Sequence, residues 1–360
     1  MQLQDLQKFF TRKTNINKRR FIVTLIILVS LFLTAVFLSL ILGAQKISFN
    51  EVFKSADSFS RTIFFSIRLP RTILVIISGI LLSGAGAVFQ MFFRNPLAEP
   101  GIMGITSGAS LGAVIAACLG GGTLMGGLIS LLNGGAFLGA LAAAFIVTAI
   151  SFRGSSRAST VMVLLCGTAL GSLYSAITSI ILAIHDRQLH SIYIWMLGSF
   201  SGRGWNEVKF IIIPSAISIL LMLISLPQLD LLGGGEATAR TLGVDVKDLR
   251  LKVIVAGAFA SSASVCAGGT IGFIGLIAPH AVRQICGSKG KVLLPFSMLA
   301  GATLLLLADT LCRIVIAPSE IPVGTITSIL GVPFFISLLL TSSRGSKGFG
   351  GGKDRRNCRK

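Results

Sequence analysis

Few residues in this 360-residue chain can do chemistry, and their spacing argues against catalysis. The three histidines, His185, His190 and His280, show neither an HExxH pattern nor any other zinc spacing. The six cysteines form no CxxC pair, and most lie inside apolar runs. That pattern fits small buried hydrophobes rather than a metal site or a disulfide framework. Gly287-Ser288-Lys289-Gly290-Lys291 comes nearest to a phosphate loop, but it lacks the spacing and the hydroxyl after the lysine. The chain therefore carries no recognisable means of hydrolysing nucleotide, no metal ligand set and no converging acid–base cluster.

Other polar residues are more suggestive. Arg68 and Arg71 flank Pro70, and Asp309 precedes Arg313 by four residues, the spacing of a helical ion pair. An arginine fork holds carboxylates bidentately. The same residues also suit a plainer role, arginines snorkelling at an interface beside a local ion pair. Between Asn95 and Gly101, Pro96 and Pro100 oppose a continuous helix and Glu99 adds a carboxylate. An interrupted helix with an acidic residue marks a transport pathway or an ordinary turn. Gln90, Asn95, Pro96, Glu99 and Pro100 are the candidate pathway residues. Farther on, Gly233-Gly234-Gly235 reads as a turn and Glu236–Leu242 as a short helix, with Glu236 in its favourable first turn. Gly243 ends that helix at a left-handed position, and a second turn follows from Asp245. Gly268, Gly269, Gly272 and Gly275 make a loose helix that Pro279 is expected to break before His280.

These residues must be positioned by helices in lipid. Hydrophobic residues make up 53% of the chain and charged ones only 12%, and mean hydropathy is +0.85. A soluble domain carries about 25% charged residues. Ten apolar runs are long enough to span a bilayer or nearly so: about 21–43, 72–93, 103–120, 125–150, 160–184, 207–227, 252–270, 271–286, 292–316 and 322–341. The third and eighth are short and glycine-rich. The stretch from Phe21 is too long for a cleaved signal core and reads as an uncleaved first helix. Net charge is +19, but the basic residues sit in tails and connections rather than in a stripe. Nucleic-acid binding is thereby excluded, and the positive-inside rule explains the excess. With the N-terminus in the cytoplasm, most of the 32 basic residues fall on cytoplasmic segments. An even number of spans then places both termini inside. The expected organisation is a basic tail at 1–20, a transmembrane domain at 21–341 with a cytoplasmic loop at 229–251, and a basic tail at 342–360.

Four long stretches occur in order: RLPR with NPLAEPGIMGITSGA, LDLLGGGEATARTLGV, GGTIGFIGLIAPHAVR, and LLLADTLCRIVIAPSEIPVGTITSILGVPFFISLLL. Together they resemble the iron-siderophore and vitamin B12 permease family of ABC importers over roughly residues 60–340. The resemblance implies an all-α polytopic fold of about ten transmembrane helices in the cytoplasmic (inner) membrane. It implies a second permease subunit, cytoplasmic ATPase subunits that alone use ATP, an extracytoplasmic substrate-binding protein, and a metal-chelate cargo of siderophore, haem or cobalamin type. No cofactor is expected on this chain. The matching positions give Arg68, Arg71 and Arg313 as outward-facing docking residues for the binding protein. They give Gly235, Glu236, Ala237, Ala239, Leu242 and Gly243 as the ATPase coupling region. An ion-coupled secondary transporter is the rival class, with Glu99 and Asp309 as its only candidate intramembrane carboxylates.

Overall fold

The computed structural model describes residues 18–43, 45, 59–120, 123–124, 129–152, 159–184 and 189–347. The basic tails up to 17 and from 348, and the connections holding Lys46, Lys54, Arg153, Arg157 and Arg187, lie outside them. Among the described residues twelve helices follow one another: α1 Lys18–Ile41, α2 Leu69–Phe92, α3 Ile105–Cys118, α4 Leu131–Phe152, α5 Ser159–Ile184, α6 Leu189–Met196, α7 Trp205–Leu232, α8 Glu236–Thr241, α9 Val246–Gly268, α10 Ile274–Cys286, α11 Gly290–Ile314 and α12 Val323–Lys347. Shorter elements are a helical turn at Phe59–Thr62, a π-helical stretch at Ile63–Arg68 and a 3-10 turn at Pro100–Met103. Strands β1 (Thr123–Leu124) and β2 (Ile129–Ser130) pair antiparallel between α3 and α4.

Each of the ten expected spans has its helix. Among the described residues, seven are long and apolar enough to cross a bilayer. The short third and eighth expectations become α3 and α10, of 14 and 13 residues, about 20 Å each at 1.5 Å per residue. The expected break at Pro279 is absent, because Pro279 lies inside α10. Its missing N–H leaves the Gly275 carbonyl without its usual partner. Gln90 Nε2 of α2 donates to that carbonyl at 3.3 Å and to Leu276 O at 3.4 Å. Helix α6 is an element the hydropathy pattern does not show. At the other end of the chain, α12 runs past the expected limit at 341 to Lys347.

Helices α2 and α9 are the most enclosed, whereas α1 and α5 are exposed along most of their length. Lipid supplies no hydrophobic drive between helices, so packing depends on close backbone approach. A Cβ on Gly86 of α2 would lie 1.9 Å from Gly275 O of α10. One on Gly79 of α2 would lie 2.6 Å from Ala302 Cα of α11, and one on Gly112 of α3 would lie 2.2 Å from Gly135 O of α4. These helix pairs touch backbone to backbone and admit no larger residue.

Candidate functional site

At one end of the bundle the sequence gathers five charged side chains around the start of α2 and the end of α11. Asp309 is 0% exposed, so its charge demands partners. Arg71 supplies one: its Nη2 lies 2.8 Å from Oδ1, and its Nε lies 3.2 Å from both oxygens. Arg71 Nη1 reaches Glu320, just before α12, at 2.8 and 2.9 Å. Arg313 closes the helical pair with Asp309 at 3.2 Å, as the four-residue spacing predicts. Its remaining donors meet Ser39 O at 3.0 Å, Ser39 Oγ at 2.9 Å and Leu42 O at 3.3 Å. Arg68 Nη1 donates to Leu40 O at 2.9 Å and to Ile41 O, and its Nη2 donates to Gln45 O. The last carbonyls of a helix have no partner inside it and carry partial negative charge. Two arginines therefore cap the end of α1, and Arg71 binds α2 to α11 and to the approach of α12.

This geometry corrects one expectation. Arg68, Arg71 and Arg313 do not face outward; all three are buried in the subunit. An arginine left unpaired at this depth is costly, and internal carboxylates and carbonyls are within reach. Only Glu320 reaches the rim of the cluster, with its side chain 29% exposed. Sequence reasoning missed its role, because Arg71 and Glu320 are remote in the chain.

Between the two ends lies a cavity of about 490 Å³. Glu99 and Pro100 line it, with Leu82 of α2, Thr106 of α3 and the end of α6. Opposite them stand Ser261 and Ser264 of α9, the Thr270–Phe273 connection, and Thr325 and Ser328 of α12. Among the described residues no ion pair or hydrogen bond reaches the Glu99 carboxylate, which is half-buried in the cavity wall. Burial pushes its pKa up to about 7. Ser264 Oγ is buried and unpartnered. Phe273 takes a left-handed backbone, φ +67°, unusual for a bulky residue. A Cβ on Gly331 of α12 would lie 2.2 Å from its ring, so the two are packed in direct contact.

Three candidate pathway residues lie elsewhere. Gln90 is the α2–α10 clamp already described. Asn95 Oδ1 accepts the Leu97 N–H at 2.9 Å, which makes Asn95 and Pro96 a turn. The hydroxyls of α9 and α12 replace them. Nothing in the sequence marks those hydroxyls, since Ser and Thr in a helix commonly bond their own backbone.

At the opposite end of the bundle, α7, α8 and α9 build the expected short-helix region. Gly235 (φ +113°) precedes α8, Gly243 (φ +84°) follows it, and Asp245 caps α9 through the Lys247 and Asp248 N–H groups. Glu236 and Arg240 pair at 2.7 Å across one turn of α8. Ala237, Leu242 and Gly243 are exposed and Glu236 partly so. Ala239, expected on the contact face, is 0% exposed, because it packs inward and seats α8 on its own subunit.

A profile of the FecCD transport family matches residues 31–341. The vitamin B12 import system permease protein BtuC of Citrobacter koseri is 39% identical over 317 residues, 87% of this chain and 93% of that one. The uncharacterized ABC transporter permease protein YvrB of Bacillus subtilis is 38% identical over 295 residues, 81% of this chain and 83% of that one. A solved structure described as an inward-facing conformation of a metal-chelate type ABC transporter is 32% identical. It superposes with a TM-score of 0.75 over 87% of this chain and 97% of its own. Fold and sequence agree over most of the length: the chain belongs to the FecCD transport family, as a multi-pass permease subunit of an ABC importer.

Proposed function

We propose that this subunit passes a bulky metal chelate across the cytoplasmic membrane by alternating access, driven by ATP hydrolysis on separate ATPase subunits. The chelate is an iron(III)–siderophore, cobalamin or haem. The observation that carries this reading is the placement of three features along one bundle. A short exposed helix stands at one end, a buried ion cluster at the other, and a cavity lies between them. In this reading α8 faces the cytoplasm with both termini, and Ala237, Leu242 and Gly243 meet the ATPase. An extracytoplasmic binding protein docks over the Arg71 end. A second permease subunit covers apolar faces that this one leaves exposed. Apart from the Glu99 carboxylate, the cavity walls are mostly apolar side chains and hydroxyls, suited to passing a large ligand without holding it.

The test is uptake into proteoliposomes containing the permease, its ATPase and its binding protein. Radiolabelled hydroxamate and catecholate ferric siderophores, haemin and cyanocobalamin are offered in competition. ATP-dependent accumulation of one chelate class, lost in Leu242→Asp, is the expected result. Accumulation that follows a sodium or proton gradient without ATP would establish the secondary-transporter class instead.

A further inference from the structure

Helix α11 opens without a cap of its own. Lys289 occupies its N-cap and makes no capping hydrogen bond, which leaves the first N–H groups of the helix in need of acceptors. Asp230, in the last turn of α7, supplies one from another element: its Oδ1 accepts the Gly290 N–H at 2.7 Å. The approach depends on glycine. A Cβ on Gly290 would meet Leu226 Cδ2 and Met91 Cε at 2.8 Å and Asp230 Oδ1 at 3.0 Å. The ends of α2 and α7 and the start of α11 therefore converge on one backbone group. A carboxylate at a helix N-terminus is also favoured by the helix dipole.

The location gives this bond its meaning. Asp230 stands just ahead of the Gly233–Gly235 turn that leads into α8. From Gly290, α11 runs to Asp309 and Arg313, about 28 and 34 Å away at 1.5 Å per residue, where Asp309 holds Arg71 and, through it, Glu320. We propose that Asp230 is a positioning residue that ties the coupling region to α11, so that displacement of α8 is delivered to the ion-cluster end of the subunit. The inference rests on α8 being the ATPase contact. Helix α11 is continuous from Gly290 to Ile314, with Pro295 in its second turn as its one interior proline. The link therefore needs only that its near end be fixed to α7 and its far end to α2 and the approach of α12.

The test uses the complete reconstituted importer and reads the ratio of ATP hydrolysis with and without the purified binding protein. Loss of Asp230→Ala coupling is expected to lower that ratio about fivefold or more, the size of an ordinary inter-site coupling. Asp230→Asn keeps an acceptor oxygen and is expected to retain at least half of it. The discriminating variant is Asp230→Ala combined with Lys289→Asp, which returns a cap to α11 from its own N-cap position but not the tie to α7. Recovery of thermal stability without recovery of the ratio supports the proposal. Full recovery of the ratio would reduce Asp230 to a helix cap and overturn it, as would an unchanged ratio in Asp230→Ala. Leu242→Asp separates the two levels of the argument. If that variant leaves the ratio intact, α8 is not the contact. If it abolishes the ratio while Asp230→Ala does not, only the tie is wrong.

Discussion

Asp309 is the residue on which the ion cluster turns, and its replacement by asparagine is a quantitative test of the cluster's structural weight. The side chain is fully buried and faces two guanidiniums, Arg71 at 2.8 Å and Arg313 at 3.2 Å. Removing one member of a buried ion pair costs about 3–5 kcal/mol, chiefly through the charge left behind. Here the lower end applies. Arg71 keeps Glu320, and Arg313 keeps Ser39 O and Leu42 O. Asparagine also preserves shape and one acceptor. A loss of about 3 kcal/mol, set against an unfolding entropy of about 2.1 cal/mol/K per residue, corresponds to a fall of roughly 4 °C in melting temperature for a chain of 360 residues. Fluorescence-detected size-exclusion chromatography of the detergent-solubilised subunit after graded heating measures it directly. A neutralised second partner sharpens the test: Arg313→Met combined with Asp309→Leu removes both charges of that pair while leaving Arg71 on Glu320, and is expected to recover part of the loss. An Asp309→Asn protein that melts with the wild type would refute the claim that these charges depend on one another.

Gly86→Ala is expected to reduce the yield of monodisperse protein sharply, because its Cβ would lie 1.9 Å from Gly275 O. Gly272→Ala, where a Cβ meets nothing within 4 Å, is expected to leave yield unchanged. Infrared difference titration should show a carboxyl band with a midpoint near pH 7 that disappears in Glu99→Gln. The sign follows from burial, which favours the neutral acid, so the band is present below that pH and bleaches above it. Glu320 covers Arg71 Nη1 at the rim of the cluster, so Glu320→Ala should free that donor for carboxylates of the binding protein and tighten the complex several-fold. Unchanged affinity would count against docking over this end.

The apolar runs were legible because lipid permits almost nothing else, and so ten helices stood where hydropathy placed them. Helix ends were less so. Pro279 fails to break α10 because a side chain from α2 serves the carbonyl it orphans, and no local pattern announces that. The Asp309–Arg313 pair was readable from its four-residue spacing, whereas the pairing of Arg71 with Glu320 depends on how α2, α11 and the approach of α12 meet. Ala239 shows the same limit on a smaller scale. A small residue on a short helix suits an outer contact or an inner seat equally, and only packing against α9 decides. The cavity hydroxyls belong to this class as well, since serine and threonine are common in packed membrane helices for other reasons.

Where α2 lies against α10 and α11 through glycine, no side chain remains between the backbones to flex or change rotamer. Protein interiors of that kind compress very little. A push applied to one of these three helices is shared by the others at once, so they behave as a single stiff spar. The give that any transport cycle needs must then come from seams padded by long side chains. That makes the outer seams of the subunit, rather than its centre, the place to look for hinges.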